Sequence, residues 1–131
     1  MPSIFSRIVA GDIPCHKVAE TDNCLAFLDI NPVQLGHTLC IPKKEVDYIY
    51  DLDNDLLSEL MLFSKKVAKG IESVFPCNRV GVTVIGLEVP HAHVHLIPIN
   101  RLTDMDFTKP KLNPSMSELA DIAARLRSAI D

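Results

Sequence analysis

The sequence predicts an α+β fold built on an antiparallel sheet. Three observations carry this reading. Strand-like runs follow one another at hairpin spacing, two stretches with an apolar residue every three or four positions stand apart from them as helices, and no strand–helix–strand series of the kind that builds a parallel sheet is present. With 131 residues, 47% of them hydrophobic and 23% charged, the chain reads as a single domain over 1–131 with a core of its own.

Taken in order, Ile4, Phe5, Ile8 and Val9 fall at helical spacing and stop at Gly11, which predicts a short opening helix. Lys17–Glu20 and Cys24–Ile30 read as strands joined by the turn residues Thr21, Asp22 and Asn23, and Asn31-Pro32 breaks the second run. Gly36–Ile41 is a further strand ended by Pro42, and the polar stretch Lys43–Asp51 is irregular or a single helical turn. Leu56, Leu60, Phe63, Val67, Ile71 and Val74 make one helical face that starts after Asp53 and closes before Pro76. Arg79–Ile85, β-branched and apolar, fits a strand buried on both sides or nearly so; Gly86–Pro90 then leads into a last strand, His91–Ile99. Asn100–Pro114 is polar, with two prolines and no periodicity. Ser115 and Glu118 form a capping box for a final helix whose stripe is Leu119, Ile122, Ala123, Leu126 and Ile130.

Composition narrows the function. A net charge of −4 and the lack of a basic stripe argue against binding a nucleic-acid backbone, whereas a small anion can still be held by local dipoles. Cys15, Cys24, Cys40 and Cys77 are scattered with no CxxC pair, so neither a zinc finger nor a disulfide framework is expected. The apolar run Ile4–Ala10 is short and interrupted by Ser6 and Arg7, so no membrane segment or leader is expected, and free cysteines fit a reducing, cytoplasmic setting.

His91, His93 and His95 alternate with Ala92, Val94 and Leu96. On a strand this puts three imidazoles in a row on one accessible face while the apolar partners pack on the core. Such a row can bind a metal, can attack phosphorus with one ring while its neighbours donate hydrogen bonds, or can simply be a solvated face. No second set of cysteine, histidine or carboxylate residues completes a metal site in the sequence.

The pattern His91-Ala92-His93-Val94-His95-Leu96-Ile97 resembles the motif of the histidine triad (HIT) family of nucleotidyl hydrolases and transferases. The similarity extends to Ile4–Pro14, to Ala26–Pro32 (AFLDINP), to Gly36–Lys44 (GHTLCIPKK) and to Gly86–Pro90, and so covers about residues 3–99. The resemblance implies an α+β roll with a five-stranded antiparallel sheet, one long helix and a C-terminal helix, with 100–131 a variable loop and helix. It implies a homodimer, with the long helix packed across it, and a purine nucleotide of the AMP type as ligand, with no cofactor.

By the same resemblance, His93 is the nucleophile that attacks the α-phosphorus of a nucleoside 5′-phosphoramidate or related AMP derivative, forming a nucleotidyl-histidine that water hydrolyses. His95 contacts the phosphate or leaving group, and His91 and His37 form the relay that sets the nucleophile's tautomer. Asp29 binds the ribose hydroxyls; Phe5, Ile8, Phe27, Leu28 and Ile30 lie near the base, where plain core packing competes as an explanation. The backbone of Gly86, Glu88 and Val89 approaches the phosphate. Some members bind structural zinc where this chain has Ser3, Ser6 and Glu45, and the joint replacement implies no such metal here. Leu87 stands in place of a customary glutamine, and the loop Thr83–Gly86 is short. These departures keep two alternatives open beside the hydrolase: a binding or interaction module with little turnover, and a dinucleoside polyphosphate hydrolase. The segment Asn100–Pro114 is expected to fold over the active site or the partner subunit.

Overall fold

The computed structural model describes residues 2–130. Its sheet has five strands, β1 (Lys17–Glu20), β2 (Cys24–Leu28), β3 (Thr38–Pro42), β4 (Arg79–Thr83) and β5 (Val94–Ile99), in the order β1-β2-β3-β5-β4 with every neighbouring pair antiparallel. Three α-helices accompany it: α1 (Ile4–Val9), α2 (Asn54–Val74) and α3 (Met116–Ile130).

Alternation along the strands divides the molecule into two packed faces. Ala26, Leu28, Cys40, Val94 and Leu96 point to one side, where α2 supplies Leu60, Phe63, Val67 and Ile71 and α3 supplies the predicted stripe from Leu119 to Ile130. On the other side Leu25, Phe27, Leu39 and Ile41 pack under Phe5 of α1, with Ile8 and Val89 at the margin. The register sets Phe27 opposite Leu39 and Leu39 opposite His95, so the last imidazole of the motif lies on this second face.

Local chemistry fixes the helix ends where the sequence places them. The Asp53 side chain accepts from the Leu56 amide at the start of α2. Ser115 and Glu118 accept from each other's backbone amides before α3, the reciprocal arrangement of a capping box. The polar stretch after β3 contains a single 3-10 turn, Ile49–Asp51, and the segment after β5 another, Leu102–Met105.

The strand expectations change in several places: β2 ends at Leu28 rather than Ile30, β3 runs Thr38–Pro42 rather than Gly36–Ile41, and β4 ends at Thr83 rather than Ile85. β4 is not buried on both sides: it forms an edge of the sheet, pairs only with β5 and leaves Val82 52% exposed. The last strand begins at Val94 rather than His91, for reasons that belong to the site.

Candidate active site

Pro90 has no N–H to give, and the two following amides find partners outside the sheet. The His91 N–H donates to Val89 C=O at 2.8 Å and the Ala92 N–H to Val46 C=O at 2.7 Å. The ladder therefore starts only at Val94, and the expected flat row of three accessible imidazoles does not form. All three are buried, and their rings make different bonds.

The imidazole of His91 turns away from the other two. Its Nε2–H donates to Pro42 C=O at 2.7 Å, which leaves Nδ1 to accept from the Ser3 hydroxyl at 2.9 Å. Ser6 lies 3.3 Å from the same nitrogen and donates its hydroxyl to Glu45, which also accepts from the Ser3 amide. These two bonds, that from Ser6 first, hold the Glu45 carboxyl down at about 2. His91 reaches His93 through its backbone: its C=O accepts from His93 Nδ1 at 2.7 Å. A ring nitrogen facing a carbonyl must carry the proton, so His93 is left with an unprotonated Nε2.

A second chain of bonds fixes His95. The Val33 amide donates to His37 Nδ1 at 3.1 Å, so the proton of this ring sits on Nε2, which donates to His95 Nδ1 at 2.9 Å. His95 then keeps its own proton on Nε2. The relay expected around His93 is thus divided. His37 sets the tautomer of His95, and the His91 carbonyl sets that of His93, because the folded chain presents an amide to one ring and a carbonyl to the other.

Burial holds His37, His91 and His95 below the usual imidazole range. Desolvation, followed by the neighbouring charge of His95, pushes His37 down to about 3, and desolvation followed by His93 pushes His95 down to about 4. His91 is lowered by burial as well, against the opposing bond to Pro42. Burial raises Asp29, while the Asn31 amide donating to its Oδ1 at 2.9 Å works the other way. Asp29 Oδ2 and His37 Nε2 are 3.8 Å apart. With His37 neutral this is a dipolar contact rather than an ion pair. Asp29, His37 and His95 bring their ligand atoms within 4.8 Å of one another, close enough to share a cation. Both nitrogens of His37 are already engaged, so a metal there would break the bond that orients His95.

The rings form a line. Phe5 sits edge-on to His93 at 5.0 Å, His93 to His95 at 4.8 Å, and His95 to Phe107 at 5.0 Å. Beside His93 and His95 opens a cavity of about 560 Å³, within the range that takes a nucleotide-sized ligand. It brings together the predicted Asp29, Gly86, Glu88, His93 and His95. Gly86 has φ +75°, a conformation open to glycine, and so turns the short loop that forms one wall. His37 and His91 stand behind the cavity rather than in it. Phe5, Ile8, Phe27 and Val89 pack in the apolar cluster beside the triad, Leu28 faces the helices, and Ile30 is exposed. A hollow of about 630 Å³ elsewhere, bordered by Lys43, Lys44 and Glu59, holds no imidazole or thiol.

A HIT domain model matches residues 10–102. The chain belongs to the HIT family. Over 100 residues it is 41% identical to an adenosine 5′-monophosphoramidase of Schizosaccharomyces pombe, covering 75% of this chain and 74% of that protein. It is 38% identical over 102 residues to the Hit protein of Bacillus subtilis, covering 72% and 69%. A Hit-like protein from Bartonella henselae, described as involved in cell-cycle regulation, superposes with a TM-score of 0.85 at 29% identity, over 97% of this chain and 95% of that one. The α+β roll implied by the resemblance is therefore the fold of this HIT protein.

Five cavity residues lay outside the sequence-level site: Asn31, Ile85, Leu87, Phe107 and Lys111. The first three adjoin recognised positions. Phe107 and Lys111 come from the segment after β5, where no periodicity singles out a residue. That segment is tied down: Met105 packs at Gly81, and the Leu112 amide donates to Pro32 C=O at 2.9 Å. Among the described residues no helix is long and apolar enough to cross a membrane.

Proposed function

We propose that this HIT protein hydrolyses AMP derivatives, nucleoside 5′-phosphoramidates among them, at the α-phosphorus through a nucleotidyl-histidine on His93. One observation carries the reading. Two neighbouring buried rings on one cavity hold opposite tautomers, a lone pair on His93 Nε2 and a proton on His95 Nε2. A nucleophile and a proton donor side by side are what displacement at phosphorus requires. The activity named for the Schizosaccharomyces pombe relative supports the choice of substrate class.

In the first half-reaction His93 Nε2 attacks phosphorus and the P–N bond breaks. The departing nitrogen takes the proton that His95 holds on Nε2. In the second half, water attacks, the P–Nε2 bond breaks, and the proton released by water returns through His95. The half-buried Asp29 carboxylate, accepting from both hydroxyls of a cis-diol, favours ribose over deoxyribose.

The reading includes a homodimer. Edge strand β4 and the residues after it expose Val82, Val84 and Ile85, an apolar margin suited to a second copy. Leu87 is 88% exposed in the cavity wall and offers no hydrogen bond to phosphate, which favours a binding module of low turnover as the second reading. AMP release from adenosine 5′-phosphoramidate separates the two. The hydrolase reading expects release by the wild type and a loss of at least about a thousandfold in His93→Ala. AMP binding without release by either protein would establish the second reading instead.

A further inference from the structure

The segment between β5 and α3 contributes two side chains to the cavity, and neither belongs to the triad. Phe107 meets His95 at 5.0 Å and His37 at 5.9 Å between ring centroids. The Lys111 ammonium lies 5.7 Å from the Phe107 centroid, over its ring, and donates to the Phe107 C=O and, at 3.4 Å, to the Lys109 C=O. The order across the site is therefore Phe5, His93, His95, Phe107, Lys111. Displacement at phosphorus places the leaving group roughly in line with the nucleophile and on the far side of phosphorus. With attack from His93 and the proton on His95, the leaving group departs toward Phe107 and Lys111.

The cavity's other charged groups are carboxylates. Asp29 carries the ribose role in the proposed reading, and Glu88 stands in the loop wall with Leu87. Lys111 is thus the cavity's cationic side chain. Its present partners are carbonyls of its own segment, which an incoming anion can replace without leaving a buried donor unpaired.

We infer that Phe107 and Lys111 form a leaving-group subsite that selects AMP derivatives whose leaving group carries an acidic function, a carboxylate or a phosphate. The inference rests on the hydrolase reading for its orientation. Phe107 supplies an apolar wall beside the breaking bond, and Lys111 supplies the charge that distinguishes an acidic leaving group from a neutral one. The chemistry is unchanged: the P–N or P–O bond breaks, His93 Nε2 gains phosphorus, and a nitrogen leaving group takes its proton through His95, whereas a phosphate departs as the anion.

The test uses a matched pair, adenosine 5′-phosphoryl-N-glycinate and the corresponding glycinamide, which differ in the leaving group's charge. The expected kcat/KM favours glycinate by about fivefold, the size of one exposed charge pair. Lys111→Met, which keeps the apolar stem, should bring the ratio to near one, and Lys111→Glu should invert it. A diadenosine polyphosphate, compared in the same variants, tells phosphate from carboxylate as the preferred acid. An equal ratio in wild type and Lys111→Met overturns the inference while leaving the hydrolase reading intact. Calorimetric binding of the matched pair to the His93→Ala protein reads the same discrimination without turnover. If no compound is hydrolysed, the hydrolase reading fails. The subsite then stands if binding favours glycinate in a Lys111-dependent way, and falls if it does not.

Discussion

His37 does two separable things, and substituting it tests the tautomer argument directly. Its Nδ1 accepts from the Val33 amide at 3.1 Å and its Nε2–H donates to His95 Nδ1 at 2.9 Å. In His37→Asn the side-chain oxygen can take the place of Nδ1, so the Val33 amide keeps a partner but His95 loses the donor that fixes its proton on Nε2. In His37→Gln the longer amide can donate to His95, and the Val33 amide is orphaned. The magnitudes follow from the two bonds. A hydrogen bond that biases a tautomer is worth about 1–1.5 kcal/mol, or about five- to tenfold in kcat, and the ceiling is the whole proton-transfer contribution, about 10²–10⁴-fold. His37→Asn should therefore lose about tenfold or more in kcat with KM little changed. His37→Gln should stay within about threefold of the wild type, and His95→Ala should fall furthest. Stability should run the other way. An unpaired buried N–H costs about 1–3 kcal/mol, so in urea unfolding the glutamine variant should be the less stable of the two. Nitrogen NMR of His95 reads the tautomer itself. Equal kcat in the asparagine and glutamine variants, with both folded, would refute the assignment.

Other predictions rest on different parts of the site. His37 and His95 titrate near 3 and 4 in the folded state, against about 6.5 when unfolded. The unfolded chain therefore binds more protons in this window, and stability is full above pH 6.5 and falls as pH drops toward 4. Between pH 6.5 and 5 the two rings together should cost about 3 kcal/mol. The raised Asp29 opposes them, because its folded form holds a proton more readily. Urea midpoints that do not move between pH 7.5 and 5 would contradict the neutral, buried pair. A Cβ at Gly81 would lie 2.2 Å from Met105 Sδ and 3.0 Å from Ile99 Cδ1, so Gly81→Ala should destabilise by about 1–3 kcal/mol as an overpacked site. Pairing it with Met105→Ala should recover part of that loss, and the absence of recovery would mean that Met105 is not what the new methyl meets. Glu45 accepts from the Ser3 amide and the Ser6 hydroxyl behind His91. Glu45→Ala should lower kcat several-fold by loosening the His91 carbonyl, and Glu45→Gln, which keeps an acceptor, should restore most of it. Equal effects of the two substitutions would point to charge rather than to the clamp.

What the sequence reveals and conceals at this site follows from the range of the forces involved. Helix ends are local: Asp53 with Leu56, and Ser115 with Glu118, act three residues apart, and both are legible from the chain alone. The period-two pattern of His91–Ile97 is also local, yet it misplaces the start of β5. The amide of Ala92 goes to Val46 and the ring of His91 to Pro42, partners that only folding brings close. The same holds for the tautomers, since nothing near His95 in sequence says that Val33 will donate to His37. Phe107 and Lys111 are harder still, because an irregular segment offers no periodicity against which a functional residue could stand out. Ser3, Ser6 and Glu45 show how a local substitution changes meaning once folded. The resemblance marks them as positions where relatives hold a metal. In this fold they are joined by hydrogen bonds to one another and to His91. That set ties the start of α1, and with it Phe5, to the loop whose carbonyl orients His93. In this HIT protein, side-chain hydroxyls and one carboxylate therefore connect the N-terminal helix to the loop that orients His93.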